Sequence, residues 1–177
     1  MAPRHVVLVG LPGSGKTTVG TLAARELGAP FTDLDVVIAS RAGKSVGAIF
    51  AEQGEPAFRA LEASVGTELL AGPPLILAPG GGFFADAKLR AQTLEVAYAL
   101  YMETSPAEAA QRLQGAYERP MLKGRERGLQ VEQRLAELLA QREAAYLEAQ
   151  GRVRTDAKSV ETVTREVVVL ARTHGGW

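Results

Sequence analysis

Gly10-Leu11-Pro12-Gly13-Ser14-Gly15-Lys16-Thr17-Thr18 is the stretch that decides how the rest of this chain reads. Its spacing is that of a phosphate-binding P-loop, with Gly10, Gly15, Lys16 and Thr17 at the fixed positions. Before it, His5-Val6-Val7-Leu8-Val9 is a short β-branched apolar run. After it, from Thr17 to Leu27, Val19, Leu22, Ala23 and Leu27 recur at helical spacing. Strand, glycine turn and helix form the setting such a loop needs. The glycines let backbone N–H groups turn inward around phosphate oxygens, and the helix aims the positive end of its dipole at the same charge. Lys16 is placed to reach the outer phosphates and Thr17 to offer its hydroxyl to Mg²⁺.

A chain of 177 residues can bury one core without disulfides or metal, so one domain over 1–177 is expected. With 46% hydrophobic and 23% charged residues it has ordinary globular composition, and no apolar run approaches the ~20 residues of a membrane span. Met1 to Arg4 runs straight into the first strand, which leaves no room for a signal peptide, and there is no cysteine; a soluble cytoplasmic protein is expected. Zero net charge gives nothing that steers the whole molecule towards nucleic acid or anionic membrane. Arginine outnumbers lysine fifteen to five, so each arginine has to be judged by its position.

Downstream of the loop, Gly28 reads as the cap of the first helix, and Phe31 to Asp35 as a second strand. In an extended segment Asp33 and Asp35 share a face, at the sheet edge where α/β proteins bind ligands. A solvated strand end accounts for them equally well on spacing alone. A short helix from Ser45 to Phe50 is stopped by Gly54, and Glu55-Pro56 opens a longer one to about Leu70 with Phe58, Leu61, Val65 and Leu69 as its buried stripe. Arg59 flanks that stripe with Glu62 and Glu55 within reach, which by spacing reads as a surface ion pair worth about 0.3–0.5 kcal/mol.

Leu75-Ile76-Leu77-Ala78 reads as a strand covered on both faces that delivers Pro79-Gly80-Gly81-Gly82 to the ligand edge. Gly80, Gly81 and Gly82 suit either a flexible turn or a backbone that a substrate approaches closely. Asp86 to Gln92 reads as a short helix and Val96 to Met102 as another strand; Ser105-Pro106 then starts a helix ending near Gly115. Residues 115–128, charged and aperiodic, read as a mobile lid able to bring an arginine to a transferring phosphate.

From Val131 to Gln150 the apolar stripe is Val131, Leu135, Leu138, Leu139, Ala145 and Tyr146, with Arg142 in its middle. No carboxylate lies three or four residues from Arg142, so this inward arginine needs an acid from another element or a bound anion. Arg152 to Thr155 reads as a last strand, Ser159 as the cap of a final helix, and 173–177 as a frayed tail. His5 reads as the start of a strand, without a part in chemistry.

Taken together, the P-loop, Asp33-x-Asp35, Phe58-Arg59-x-x-Glu62, Gly80-Gly81-Gly82, Arg119-Pro120 before Met121-Leu122, and Gln141-Arg142 before Tyr146 resemble shikimate kinase, a P-loop small-molecule kinase of the nucleoside-monophosphate-kinase-like type. The resemblance runs through nearly the whole chain. It implies a three-layer α/β sandwich with a central, mostly parallel five-stranded sheet, P-loop NTPase architecture and a mobile lid. It also implies ATP-dependent phosphorylation of the 3-hydroxyl of shikimate, with ATP and Mg²⁺ as cofactors; from zero net charge and the lack of a long apolar run no nucleic-acid or membrane partner is expected, and for one domain a monomer is the simplest expectation.

By position, the resemblance gives ATP to Gly13, Ser14, Gly15, Lys16, Thr17 and Thr18, with Arg112 stacked on the adenine and Arg119 reaching the phosphates from the lid. Thr17 and Asp33 would serve the metal. Asp35 would bind the acceptor hydroxyl as base or orienting group; Arg59 and Arg142 would hold the carboxylate, with Glu62 steadying Arg59; and Gly80, Gly81 and Gly82 would donate backbone hydrogen bonds. Lys16, Asp35 and Arg119 form the expected catalytic set. This pattern, and not its spacing, replaces the surface reading of Arg59. Three features depart from the family: Pro79, which removes a backbone donor before the triple glycine, Gly47-Ala48, and the Asp156 region, a weak match for the adenine-binding end. Two rival readings are a kinase for another hydroxy acid such as gluconate, and a nucleotide-binding module without catalysis.

Overall fold

In the computed structural model, residues 2–113 and 128–177 are described, with backbone alone at 128 and 129. The expected lid, but for its last residue, and Arg119 with it, lie outside the described residues.

Among the described residues the elements run β1 (His5–Val9), α1 (Lys16–Leu27), β2 (Phe31–Asp33), α2 (Leu34–Ala42), α3 (Val46–Leu70), β3 (Ile76–Ala78), α4 (Ala87–Val96), β4 (Ala97–Glu103), α5 (Pro106–Arg112), α6 (Gly128–Tyr146), β5 (Gly151–Arg154) and α7 (Val160–Gly175). The five strands pair parallel throughout in the order β2-β3-β1-β4-β5. All-parallel pairing buries both faces, which is why β1 and β4 read as unbroken apolar runs.

Successive side chains leave a strand on opposite faces and sort into two cores. Val7, Val9, Leu77, Ala99 and Tyr101 face a layer built from α2 to α6, including Leu34, Ile49, Phe58, Leu135 and Leu138. Val6, Leu8, Ile76, Leu100 and Met102 face α1 and α7 through Val19, Ala23, Val163 and Val167. The three-layer sandwich follows from this alternation.

Three local expectations change. The second strand stops at Asp33 instead of Asp35, because the Asp33 side chain accepts from the N–H groups of Asp35 and Val36 and starts α2. Asp33 and Asp35 therefore do not share a strand face. In α3, interrupted at Gly54 as expected (φ 81°), the fully buried positions include Glu62 and Gly66, while Leu61 and Leu69 are half-buried. The Phe83 ring decides this register, since a Cβ on Gly66 would stand 2.3 Å from it.

The end of the chain is not frayed. α7 continues to Gly175, Arg4 N donates to Gly175 O at 2.8 Å, and the Trp177 indole N–H donates to Arg4 O at 2.9 Å. His5 begins β1 as expected, its Nδ1 accepting from Leu75 N.

Candidate active site

The loop between β1 and α1 opens the N-terminus of α1 to a ligand. Gly13 and Gly15 hold φ of 83° and 90°, and a Cβ on Gly13 would lie 2.7 Å from Ala109 O. Asp33, Ser45, Asp86, Ser105 and Ser159 cap their helices with a side-chain oxygen, whereas Gly15 at the start of α1 has none to offer. The first N–H groups of α1 are thus left for an anion, in the direction the helix dipole favours. Buried Lys16 donates from Nζ to Gly10 O at 2.9 Å and Leu11 O at 2.7 Å, so its ammonium is held at the loop.

A cavity of about 380 Å³ continues from this loop and is lined by Gly13 to Val19 and, across it, by Arg112, Thr155, Lys158 and Val160. Arg112 is fixed in its wall: Nη1 donates to Thr155 Oγ1 and Nη2 to Thr155 O, both at 3.0 Å, and Glu108 pairs with it. The expected nucleotide-binding residues Gly13, Ser14, Gly15, Lys16, Thr17, Thr18 and Arg112 therefore share one cavity.

At the mouth of the loop, Thr17 Oγ1 donates to Asp33 Oδ2 at 2.6 Å, while the other Asp33 oxygen caps α2. A hydroxyl and a carboxylate converging there are hard oxygen donors of the kind Mg²⁺ takes, and they fit an ion that fills its remaining positions with water and phosphate. Among the described residues no group of three or more His, Cys, Asp or Glu could hold a metal by itself.

The second half of the site is the turn after β3. Gly80, Gly81 and Gly82 are each approached closely by polar side chains. A Cβ on Gly80 would lie 2.5 Å from Glu62 Oε1 and 3.5 Å from Asp35 Oδ1; on Gly81, 2.9 Å from Arg142 Nη1 and 3.2 Å from the Tyr146 hydroxyl; on Gly82, 2.6 Å from Arg59 Nη1. None of the three has positive φ. Side chains from α2, α3 and α6 crowd onto this backbone and leave no room for a Cβ, a reason for glycine that neither sequence reading named.

Arg142 is 8% exposed, and among the described residues no carboxylate forms an ion pair with it. Arg59 donates to Glu62 Oε2 at 2.7 Å and pairs with Glu55 at 3.2 Å. Glu62 is 1% exposed, so the surface ion pair read from spacing is a pair with one member in the core. Burial pushes the Glu62 carboxyl above its usual range against the pull of Arg59 and Arg142, and the neighbouring Asp35 charge adds to the rise. Arg59 is paired with Glu62 and Glu55, whereas buried Arg142 has no ion-pair partner among the described residues, which leaves this corner suited to a small anionic ligand.

The family model for shikimate kinase matches residues 12–171. The chain belongs to the shikimate kinase family. It is 39% identical to shikimate kinase of Geobacter sulfurreducens over 171 residues, covering 97% of this chain and 92% of that protein. Against the Caulobacter vibrioides shikimate kinase it is 40% identical over 172 residues, covering 97% and 84%. Shikimate kinase from Acinetobacter baumannii, solved in complex with shikimate, superposes with a TM-score of 0.90 at 31% identity, covering 97% of this chain and 94% of that one. A gluconokinase from Sinorhizobium meliloti shares the fold, with a TM-score of 0.64, but is only 20% identical.

Among the residues the shikimate kinase motifs pointed to, Lys16, Thr17, Thr18 and Arg112 line the cavity beside the loop, Asp33 is bonded to Thr17 at its mouth, and Asp35, Arg59, Arg142 and Gly80 to Gly82 gather at the glycine turn. Thr155 and Lys158 of the cavity wall were missed. Their signal is faint, a polar stretch Thr155 to Lys158 between the last strand and the Ser159 cap, where Ala157 has φ of 56°. Tyr146, given no role by the sequence beyond the apolar stripe and the Gln141-Arg142 motif, turns its hydroxyl onto the glycine turn.

Proposed function

We propose that the protein transfers the γ-phosphoryl group of ATP to the 3-hydroxyl of shikimate, giving shikimate 3-phosphate and ADP, a step of chorismate and aromatic amino-acid biosynthesis. The observation that carries this reading is buried Arg142 without an ion-pair partner among the described residues, beside Gly81 and within one corner with Arg59 and Asp35. Shikimate offers that corner one carboxylate and three hydroxyls. Arg59 and Arg142 grip the carboxylate, and the backbone of Gly80 to Gly82 donates to the ring substituents.

Asp35 takes the proton of the attacking hydroxyl as its oxygen bonds to the γ-phosphorus, and the bond from that phosphorus to the β,γ-bridging oxygen breaks with ADP as the leaving group. Lys16 exchanges its loop carbonyl partners for phosphate oxygens. Arg119 approaches the same oxygens from the lid, and Arg112 stacks on the adenine. Thr17 would hold Mg²⁺ with Asp33 near it through water, and the ion when bound would supply charge neutralisation for the phosphates. Proximity and charge neutralisation account for most of the rate, since the reaction asks for little covalent chemistry from the protein.

A monomer is the simplest assembly for a one-domain kinase, and zero net charge favours neither nucleic acid nor anionic membrane. No helix among the described residues is long and apolar enough to cross a membrane. Dependence on cellular ATP supports the cytoplasm, and the single continuous sheet supports one domain.

The test is ADP release from Mg-ATP with shikimate, with gluconate and without acceptor. Turnover with shikimate alone is expected. Turnover with gluconate in its place would overturn the assignment of Arg59 and Arg142, and turnover with neither would favour a binding module.

A further inference from the structure

The glycine turn satisfies its own carbonyls unevenly. Gly80 O accepts from Phe83 N at 3.1 Å and Gly82 O from Ala85 N at 3.2 Å, both bonds within the turn. Gly81 O instead accepts from the Tyr146 hydroxyl at 2.6 Å, across 65 residues of sequence. The middle peptide of the turn is therefore oriented by helix α6 and not by the turn itself.

We propose that Tyr146 is a positioning residue for the acceptor: its hydroxyl fixes the plane of the Gly81–Gly82 peptide and locks that backbone to Arg142. A peptide unit is planar with its C=O and N–H pointing in opposite directions, so pinning Gly81 O also sets the direction in which the Gly82 N–H is presented. Arg142 lies one helical turn before Tyr146, and its Nη1 and the Tyr146 hydroxyl come within 2.9 and 3.2 Å of the same point, the place of a Cβ on Gly81. Gly10 O, at the start of the phosphate loop, stands 3.2 Å from that point as well. Gly81 is thus where acceptor backbone, carboxylate-binding arginine and nucleotide loop meet.

Tyr146 is built to stay put. It is fully buried, with its ring centroid 5.2 Å from that of Tyr101. Burial raises its phenol above the usual range, outweighing the opposite pull of Arg142, so it remains a hydrogen-bond donor at working pH.

The inference rests on shikimate being the acceptor, and the experiment separates the two. Tyr146→Phe keeps the ring and removes the donor. The variant is expected to raise KM for shikimate about tenfold, the scale of one lost hydrogen bond next to a charged group, with KM for ATP within about twofold of wild type. Combined with Arg142→Ala it should add little to the cost of Arg142→Ala alone, because both act on one contact. Tyr146→4-aminophenylalanine, which restores a donor at the ring tip, should recover most of the lost affinity, and it serves as the test if Tyr146→Phe fails to fold.

A lower melting temperature with both KM values unchanged would make Tyr146 a structural bolt and overturn the proposal; so would an equal rise in both KM values, or no recovery with the amino analogue. A wild-type enzyme inert towards shikimate would instead remove the acceptor assignment beneath it.

Discussion

Arg59 donates to Glu62 at 2.7 Å across the boundary of the core: the side chain of Arg59 is 30% exposed and that of Glu62 1%. Glu62 Oε1 is buried with no hydrogen-bond partner among the described residues, so half of this carboxylate is compensated and half is not. The pair holds Arg59 at Gly82 while keeping a carboxyl whose ionised form is disfavoured by burial.

That imbalance has a definite sign in pH. The folded chain holds the Glu62 proton more tightly than the unfolded chain, whose value lies near the ordinary 4.5. The stability it contributes is present below that value and lost as pH rises through the raised one. In denaturant titrations across this window, the wild-type minus Glu62→Gln stability difference should fall with rising pH; a flat difference would show that Arg59 fully compensates the charge. The same variant leaves Arg59 one anionic partner, Glu55, and should raise KM for shikimate several-fold.

Gly82→Ala tests the close approach at the glycine turn. A Cβ there meets Arg59 Nη1 at 2.6 Å and its central carbon at 2.7 Å, so the guanidinium has to move. Because the backbone has ordinary φ, folding should survive while KM for shikimate rises by roughly tenfold or more, on the scale of a charge-assisted hydrogen bond. Unchanged shikimate kinetics would place Arg59 outside substrate binding.

Arg142→Ala should weaken shikimate binding by about 10- to 100-fold, a loss of roughly 1.5–3 kcal/mol for hydrogen bonds to a charged group. Nucleotide binding, on the other side of the loop, should be nearly intact. Isothermal titration with each ligand separately checks this, and an equal loss for both would point to collapse of α6 in place of a lost carboxylate contact.

Lys16→Met should abolish turnover. The variant also loses two hydrogen bonds to loop carbonyls, so its ATP affinity should fall too, with a circular dichroism spectrum like that of wild type. Substantial retained activity would remove Lys16 from phosphate binding.

Away from the site, Trp177→Ala should cost about 2 kcal/mol, through the lost indole hydrogen bond to Arg4 O and lost packing, or roughly 4–8 °C in Tm for a chain of this size. Kinetic constants at low temperature should not change. A Tm equal to wild type would mean that the terminal contact contributes nothing to stability.

By itself the sequence determined the phosphate loop, the strand and helix succession around it, the kink at Gly54 and the inward-facing Arg142. Each is written locally, in spacing, periodicity or the absence of a neighbouring acid. Only the tertiary structure decided that β2 ends at Asp33, that Glu62 and Gly66 lie in the buried stripe of α3, that Trp177 is docked on Arg4, and that Tyr146 holds Gly81. A helix cap competing with a strand, a ring from a distant turn filling the space over Gly66, and a phenol bonded across 65 residues are settled by what packs against a residue, and periodicity along one element carries no record of its neighbours. The triple glycine shows both sides: its cost was visible in the chain, while its reason, side chains converging from α2, α3 and α6, exists only after folding.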